Sequence, residues 1–111
     1  TGDIDIFVNP SSENAQKILS ALTDFGFGSL NLTSDDFQKP GSVVQLGYPP
    51  IRIDIMTAIT GVAWEEADKG KQEGLYGNVP VFFLGREQYI ANKRATGRKK
   101  DLADLEALGE E

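Results

Sequence analysis

The sequence predicts an α+β protein, a mixed or antiparallel β-sheet flanked by α-helices. Three observations predict it. Residues 3–8 alternate strictly, residues 15–25 carry apolar side chains at helical spacing, and residues 42–46 and 51–56 read as two strands joined by a tight turn.

Each element has its own local reason. In the first strand Ile4, Ile6 and Val8 fall on one face, and Asp3, Asp5 and Phe7 on the other. Asn9-Pro10-Ser11-Ser12 then supplies a turn and a helix cap. The helix that follows places Ala15, Ile18, Leu19, Leu22 and Phe25 along one stripe, and Gly26 stops it. Thr33-Ser34-Asp35-Asp36 reads as a capped short turn of helix, and Pro40-Gly41 as a break. The strands Ser42 to Leu46 and Ile51 to Met56 are joined by Gly47-Tyr48-Pro49-Pro50, the signature of an antiparallel hairpin. Along the second of them Ile51, Ile53 and Ile55 stand opposite Arg52, Asp54 and Met56.

The next elements are shorter. Gly61 to Lys69 reads as a short helix, Gly70 and Gly74 bracket a polar connection, and Val79 to Leu84 is an apolar run whose proline suits an edge strand. Glu87 to Ala95 is helical, Thr96-Gly97 interrupts it, and Lys99 to Leu108 forms a last amphipathic helix through Leu102, Leu105 and Leu108. The expected organisation is a single domain over 1–111, with a sheet core over 1–84 and C-terminal helices over 85–111.

Composition narrows the chemistry. The 111 residues hold no cysteine and no histidine, so thiolate sites, histidine-ligated zinc and Ser–His hydrolysis are excluded. A metal held by this chain sits among oxygens, which favours Mg²⁺, Mn²⁺ or Ca²⁺. A net charge of −6 opposes broad binding to nucleic acid, which needs a surplus of cations. The charge is uneven, however. Arg86, Lys93, Arg94, Arg98, Lys99 and Lys100 face a single acid, Glu87, between positions 86 and 100. Such a patch suits a small anionic ligand such as a nucleoside triphosphate, or is simply a solvated helix end. With no apolar stretch long enough for a bilayer and no leader pattern, the sequence is that expected of a soluble, cytoplasmic protein with no membrane partner.

Three aspartates stand where aspartate is disfavoured, inside apolar, β-branched strands. Asp3 and Asp5 are two apart, which puts them on one face about 7 Å apart along the strand. Asp54 has the same setting in Arg52-Ile53-Asp54-Ile55. If the two strands are neighbours in register, the acids converge, and like charges so placed call for a cation between them. Divalent ions clamping attacking and leaving oxygens are the chemical use of such a cluster. Solvated acids on an open sheet face are the alternative.

These residues resemble a family. Thr1-Gly2-Asp3-Ile4-Asp5-Ile6-Phe7-Val8 is similar to the Thr-x-Asp-hydrophobic-Asp motif of the polymerase-β-type nucleotidyltransferase superfamily, and more specifically to small bacterial members, including AbiEii-type toxin nucleotidyltransferases of toxin–antitoxin systems. The resemblance implies that Asp3, Asp5 and Asp54 hold Mg²⁺ (or Mn²⁺) and the triphosphate, and that Asp54 is the catalytic residue that activates the acceptor hydroxyl. Further on, Asn92-Lys93-Arg94-Ala95-Thr96-Gly97-Arg98-Lys99-Lys100-Asp101-Leu102-Ala103-Asp104-Leu105 resembles the paired helices that follow the catalytic core in those proteins. It implies that Lys93 and Arg98 meet the nucleotide. Asp101 and Asp104 then orient those cations or finish the site, unless they are ordinary Lys–Asp pairs on exposed helices.

The pattern departs from the superfamily at one place. Members carry a Gly-Gly or Gly-Ser turn about ten residues before the first aspartate, where backbone N–H groups grip the triphosphate. Asp3 is the third residue here, and no other glycine pair substitutes, so the expected fold lacks the first strand and helix. The expected function is transfer of a nucleoside monophosphate from NTP to a hydroxyl of RNA, protein or a small molecule. A catalytically degenerate module that binds a partner or assembles as a homo-oligomer is the alternative. A Ca²⁺-stabilised structural domain is a weaker third, because the acids lack EF-hand spacing.

Overall fold

A computed structural model describes residues 2–27, 31–48 and 51–109. The chain is α+β. In order run β1 (Gly2–Phe7), α1 (Ser12–Asp24), a 3-10 turn (Ser34–Phe37), β2 (Val43–Tyr48), β3 (Ile51–Met56), α2 (Trp64–Gly70), β4 (Gln72–Tyr76), β5 (Val79–Phe83), α3 (Arg86–Thr96) and α4 (Lys99–Ala107). The chain divides into two compact units, Thr1–Ala58 and Ile59–Glu111, each described by itself below. The residues expected to share one sheet core over 1–84 are thus distributed between a three-stranded sheet in the first unit and a two-stranded sheet in the second.

The first unit is built around a sheet of order β1-β3-β2. β2 and β3 form the expected antiparallel hairpin, with Leu46 opposite Ile53 and Gln45 opposite Asp54. Pro49 and Pro50, expected at its turn, lie outside the described residues. β1 runs parallel to β3, a pairing that needs a crossover, and α1 lies in that connection. The ends of α1 follow the local code. The Asn14 N–H donates to the Ser11 hydroxyl at 3.2 Å, a cap that contributes about 1 kcal/mol. At the other end Gly26 takes φ +94°, and the Phe27 N–H reaches back to the Leu22 carbonyl at 2.9 Å, a Schellman stop that a Cβ would strain.

One sheet face and α1 make the core. Ala15, Phe37, Leu46 and Ile55 are buried, and Val8, Ile18, Leu19, Leu22, Val44 and Ile53 pack against them. Each large member contributes roughly 1.5–3 kcal/mol through the area it removes from water. Phe37 arrives from the 3-10 turn, the capped turn the sequence predicts, in which the Thr33 N–H donates to the Asp36 carboxylate at 2.8 Å. Thr57 ties that turn to the sheet. Its hydroxyl donates to the Lys39 carbonyl at 2.6 Å and accepts from the Ser42 N–H at 2.8 Å. Ile6 shares the face of its partner Ile55, yet it is 41% exposed, because β1 is an edge strand.

The second unit packs α3 against α4 and α2. Val62, Ala67, Ile90 and Leu105 are its buried apolar residues. The expected helix over 61–69 begins three residues late. Gly61 sits at φ +82° in a turn closed by an Ile59–Val62 bridge, and Ala63 is extended, so α2 starts at Trp64. A larger correction concerns residues 70–77. The connection read as polar is a strand, β4, paired antiparallel with β5 through Gly77-Asn78. Gly77 at φ +64° in the first turn position is what a two-residue hairpin of type II′ requires. The strand escapes pattern reading because both strands are exposed except near Gly74 and Val81, so no buried face imposes alternation.

Candidate metal centre

Parallel pairing of β1 and β3 sets Asp5 directly beside Asp54. Adjacent strands lie about 4.8 Å apart, so registered positions carry their side chains on one face at close range. Gln45 of β2 extends the row, giving Asp5, Asp54 and Gln45 across the three strands. The opposite face holds Ile53, Ile55 and Leu46 of the core, so the acid row lies on the face away from α1. Asp3 stands in register with Arg52, and its side chain lies outside those described.

The two acids of the row differ in surroundings. Asp5 is exposed, whereas Asp54, on the central strand, is only 8% exposed. Arg52, two residues earlier and on the same face, answers the buried charge. Its Nη2 donates to Asp54 Oδ2 at 3.2 Å. Its Nε comes within 3.1 Å of Asp54 Oδ1, near enough for an ion pair but not aligned for a hydrogen bond. Nε and Oδ1 are therefore both buried and held by this ion pair, with no aligned hydrogen bond to either.

Such a donor set fits a hard divalent cation. A buried carboxylate oxygen without an aligned hydrogen bond, a second carboxylate on the neighbouring strand and an amide oxygen at Gln45 are donor types that Mg²⁺ or Mn²⁺ accepts. Among the described residues no three acids gather at one point, and the described acidic pair is Asp5 and Asp54. Sequence reasoning passed over Arg52 as a partner of this site. The signal was available, since opposite charges two apart in a strand share a face.

The C-terminal residues singled out in the sequence do come together, within the second unit. Asp101 is fully buried and saturated. Thr96 Oγ1 donates to it at 2.6 Å, Arg98 Nε at 2.7 Å, the Arg98 backbone N–H at 3.2 Å and Lys93 Nζ at 3.3 Å. Lys93 also pairs with Asp104 at 3.1 Å, and its ammonium lies 5.3 Å from the Tyr89 ring centre. The geometry explains itself locally. Gly97 takes φ +62° at the end of α3, turning the chain so that Asp101 caps the first turn of α4. Asp101 is thus no solvated helix acid; it positions Lys93 and Arg98.

Electrostatics follow from these contacts. The Arg98 guanidinium and the Thr96 hydroxyl hold the Asp101 carboxyl far below the usual carboxylate range, against the opposing effect of burial. For Lys93, burial disfavours the charge, but bonds to Asp104 and Asp101 outweigh it and raise the pKa. Arg98 is likewise raised, by Asp101.

No protein-family model matches the chain, and neither a curated protein nor a solved structure matches it. Among the described residues no helix is long and apolar enough to cross a membrane.

Proposed function

We propose that the chain is a nucleotidyltransferase-type domain whose acid row holds a divalent cation, Mg²⁺ or Mn²⁺, for transfer of a nucleoside monophosphate from NTP to a hydroxyl acceptor. The observation that carries this reading is the register of Asp5 beside Asp54 on adjacent parallel strands, with Asp54 Oδ1 buried and lacking a hydrogen bond. A cation bound there supplies charge neutralisation at the phosphoryl oxygens. Asp5 and Asp54 hold it. Asp54 also accepts the proton of the acceptor hydroxyl as the acceptor oxygen bonds the α-phosphorus and pyrophosphate leaves. In the second unit, taken by itself, Lys93 held by Asp101 and Asp104 is a proposed anion contact.

Titration of Mn²⁺ followed by electron paramagnetic resonance tests the reading. Wild type is expected to bind at micromolar to millimolar Mn²⁺, roughly the range oxygen-ligand sites span. Asp5→Asn is expected to lose at least tenfold, about 1.4 kcal/mol. Equal and negligible binding in both proteins rejects it.

A second reading has its own support. The hairpin β4–β5 leaves Leu75, Tyr76, Val79, Phe82 and Phe83 exposed, an unusual amount of apolar surface for a short element. This favours a catalytically degenerate module that binds a partner or assembles with other copies. Wild type that ignores both Mn²⁺ and Mg-ATP would leave that reading standing.

A further inference from the structure

The Arg52 guanidinium stands against Asp54 where a bound cation would stand. It fills one side of Asp54 without satisfying it, since only one of the two close approaches is a hydrogen bond. The two partners differ in freedom. Asp54 belongs to the central strand, fixed by β1 on one side and β2 on the other. Its side chain is 11% exposed, whereas that of Arg52 is 32% exposed. Arginine has a long flexible stem that can carry its head into water, whereas the short aspartate side chain has little reach from its paired strand.

The row itself explains why an arginine is needed. Two carboxylates in register on neighbouring strands repel, and one of them is buried. A metal-free sheet with that arrangement requires a positive charge, and the nearest one among the described side chains is the guanidinium two residues earlier on the same face. When a divalent ion arrives, it and Arg52 compete for the same oxygens. We infer that Arg52 is a built-in counter-ion at the candidate site, which a divalent cation must displace from Asp54 before that carboxylate can act as a ligand. The inference rests on the metal-site reading above. Arg52 is then a positioning residue: it holds the carboxylate in place while the metal is absent, and weakens metal binding by the strength of the pair it forms.

Arg52→Gln removes the competing charge and leaves a shorter, neutral polar side chain. Mn²⁺ affinity is expected to rise about tenfold over wild type, equivalent to ~1.4 kcal/mol. The metal-free protein is expected to melt at a lower temperature, because the buried carboxylate loses its partner. Mn²⁺ is therefore expected to raise the melting temperature of Arg52→Gln by more than that of wild type. A purely structural arginine would lower stability with and without metal and leave the affinity alone. Arg52→Lys, which keeps the charge but not the fork, is expected to fall between the two, and it decides the matter if the glutamine variant does not fold. Arg52 variants that bind Mn²⁺ as tightly as wild type, or less tightly, overturn the competition while the metal site stands. Wild type and variants that all fail to bind Mn²⁺ overturn the metal site itself.

Discussion

At the scale of single residues, Asp101 and Lys93 have the clearest pH dependence. Asp101 has a folded pKa lowered by Arg98, Thr96 and Lys93. The stability it contributes is therefore complete above the unfolded carboxylate pKa of about 3.9, and is lost as pH falls through the lower folded value. Lys93 works in the other direction. Its raised pKa contributes stability that is complete below the unfolded lysine value of about 10.4 and fades as pH rises through the folded one. Asp101→Asn is expected to melt below wild type at pH 7, and the gap is expected to narrow between about pH 4 and pH 2, where wild type alone loses this contribution. Thermal melts across that range check it, and a gap of constant size would contradict the assignment. The sequence made Lys93, Arg98, Asp101 and Asp104 visible as a charged group. It could not show that Asp101 is sealed from water, because that depends on Gly97 folding α4 back so that Thr96 and Lys93 reach the same carboxylate.

At the scale of elements, capping and turn chemistry decided what could be read. The stop of α1 at Gly26, the Thr33–Asp36 box and the β2–β3 hairpin are local signals, and each appears where its residues put it. β4 is the counter-example. Gln72-Glu73-Gly74-Leu75-Tyr76 lacks alternation and has Tyr76 as its one strong strand former, and its extended form comes with pairing to β5. The delayed start of α2 has a packing cause at Gly61, which lies against α3. A Cβ built there would meet Ala95 Cβ at 2.6 Å and the Ala91 carbonyl oxygen at 3.1 Å, at a φ of +82°. Gly61→Ala is accordingly expected to destabilise the protein by more than about 1 kcal/mol, through backbone strain and the clash together. Chemical denaturation measures this. A neutral or stabilising effect would mean that the turn and α3 are not packed as described.

At the scale of the whole molecule, the proposal rests on how strand order converts sequence into a site. Asp5 and Asp54 are 49 positions apart, and only the parallel pairing of β1 with the central strand β3 makes them neighbours. Aspartate in two apolar strands was a sequence-level anomaly, legible because propensity disfavours it there. The register that joins them was not legible, since alternation fixes a face but not a partner. The shared face of Arg52 and Asp54 was legible, but not that Asp54 is buried with one oxygen lacking an aligned hydrogen bond, on which the proposed role of Arg52 depends. The direct test of the account is a crystal structure of the protein grown with Mn²⁺, with anomalous scattering recorded near the manganese edge. The account predicts a peak within about 2.5 Å of carboxylate oxygens of both Asp5 and Asp54, with the Arg52 guanidinium turned away from Asp54. A map with no peak between those two side chains, and Arg52 still seated on Asp54, would contradict it.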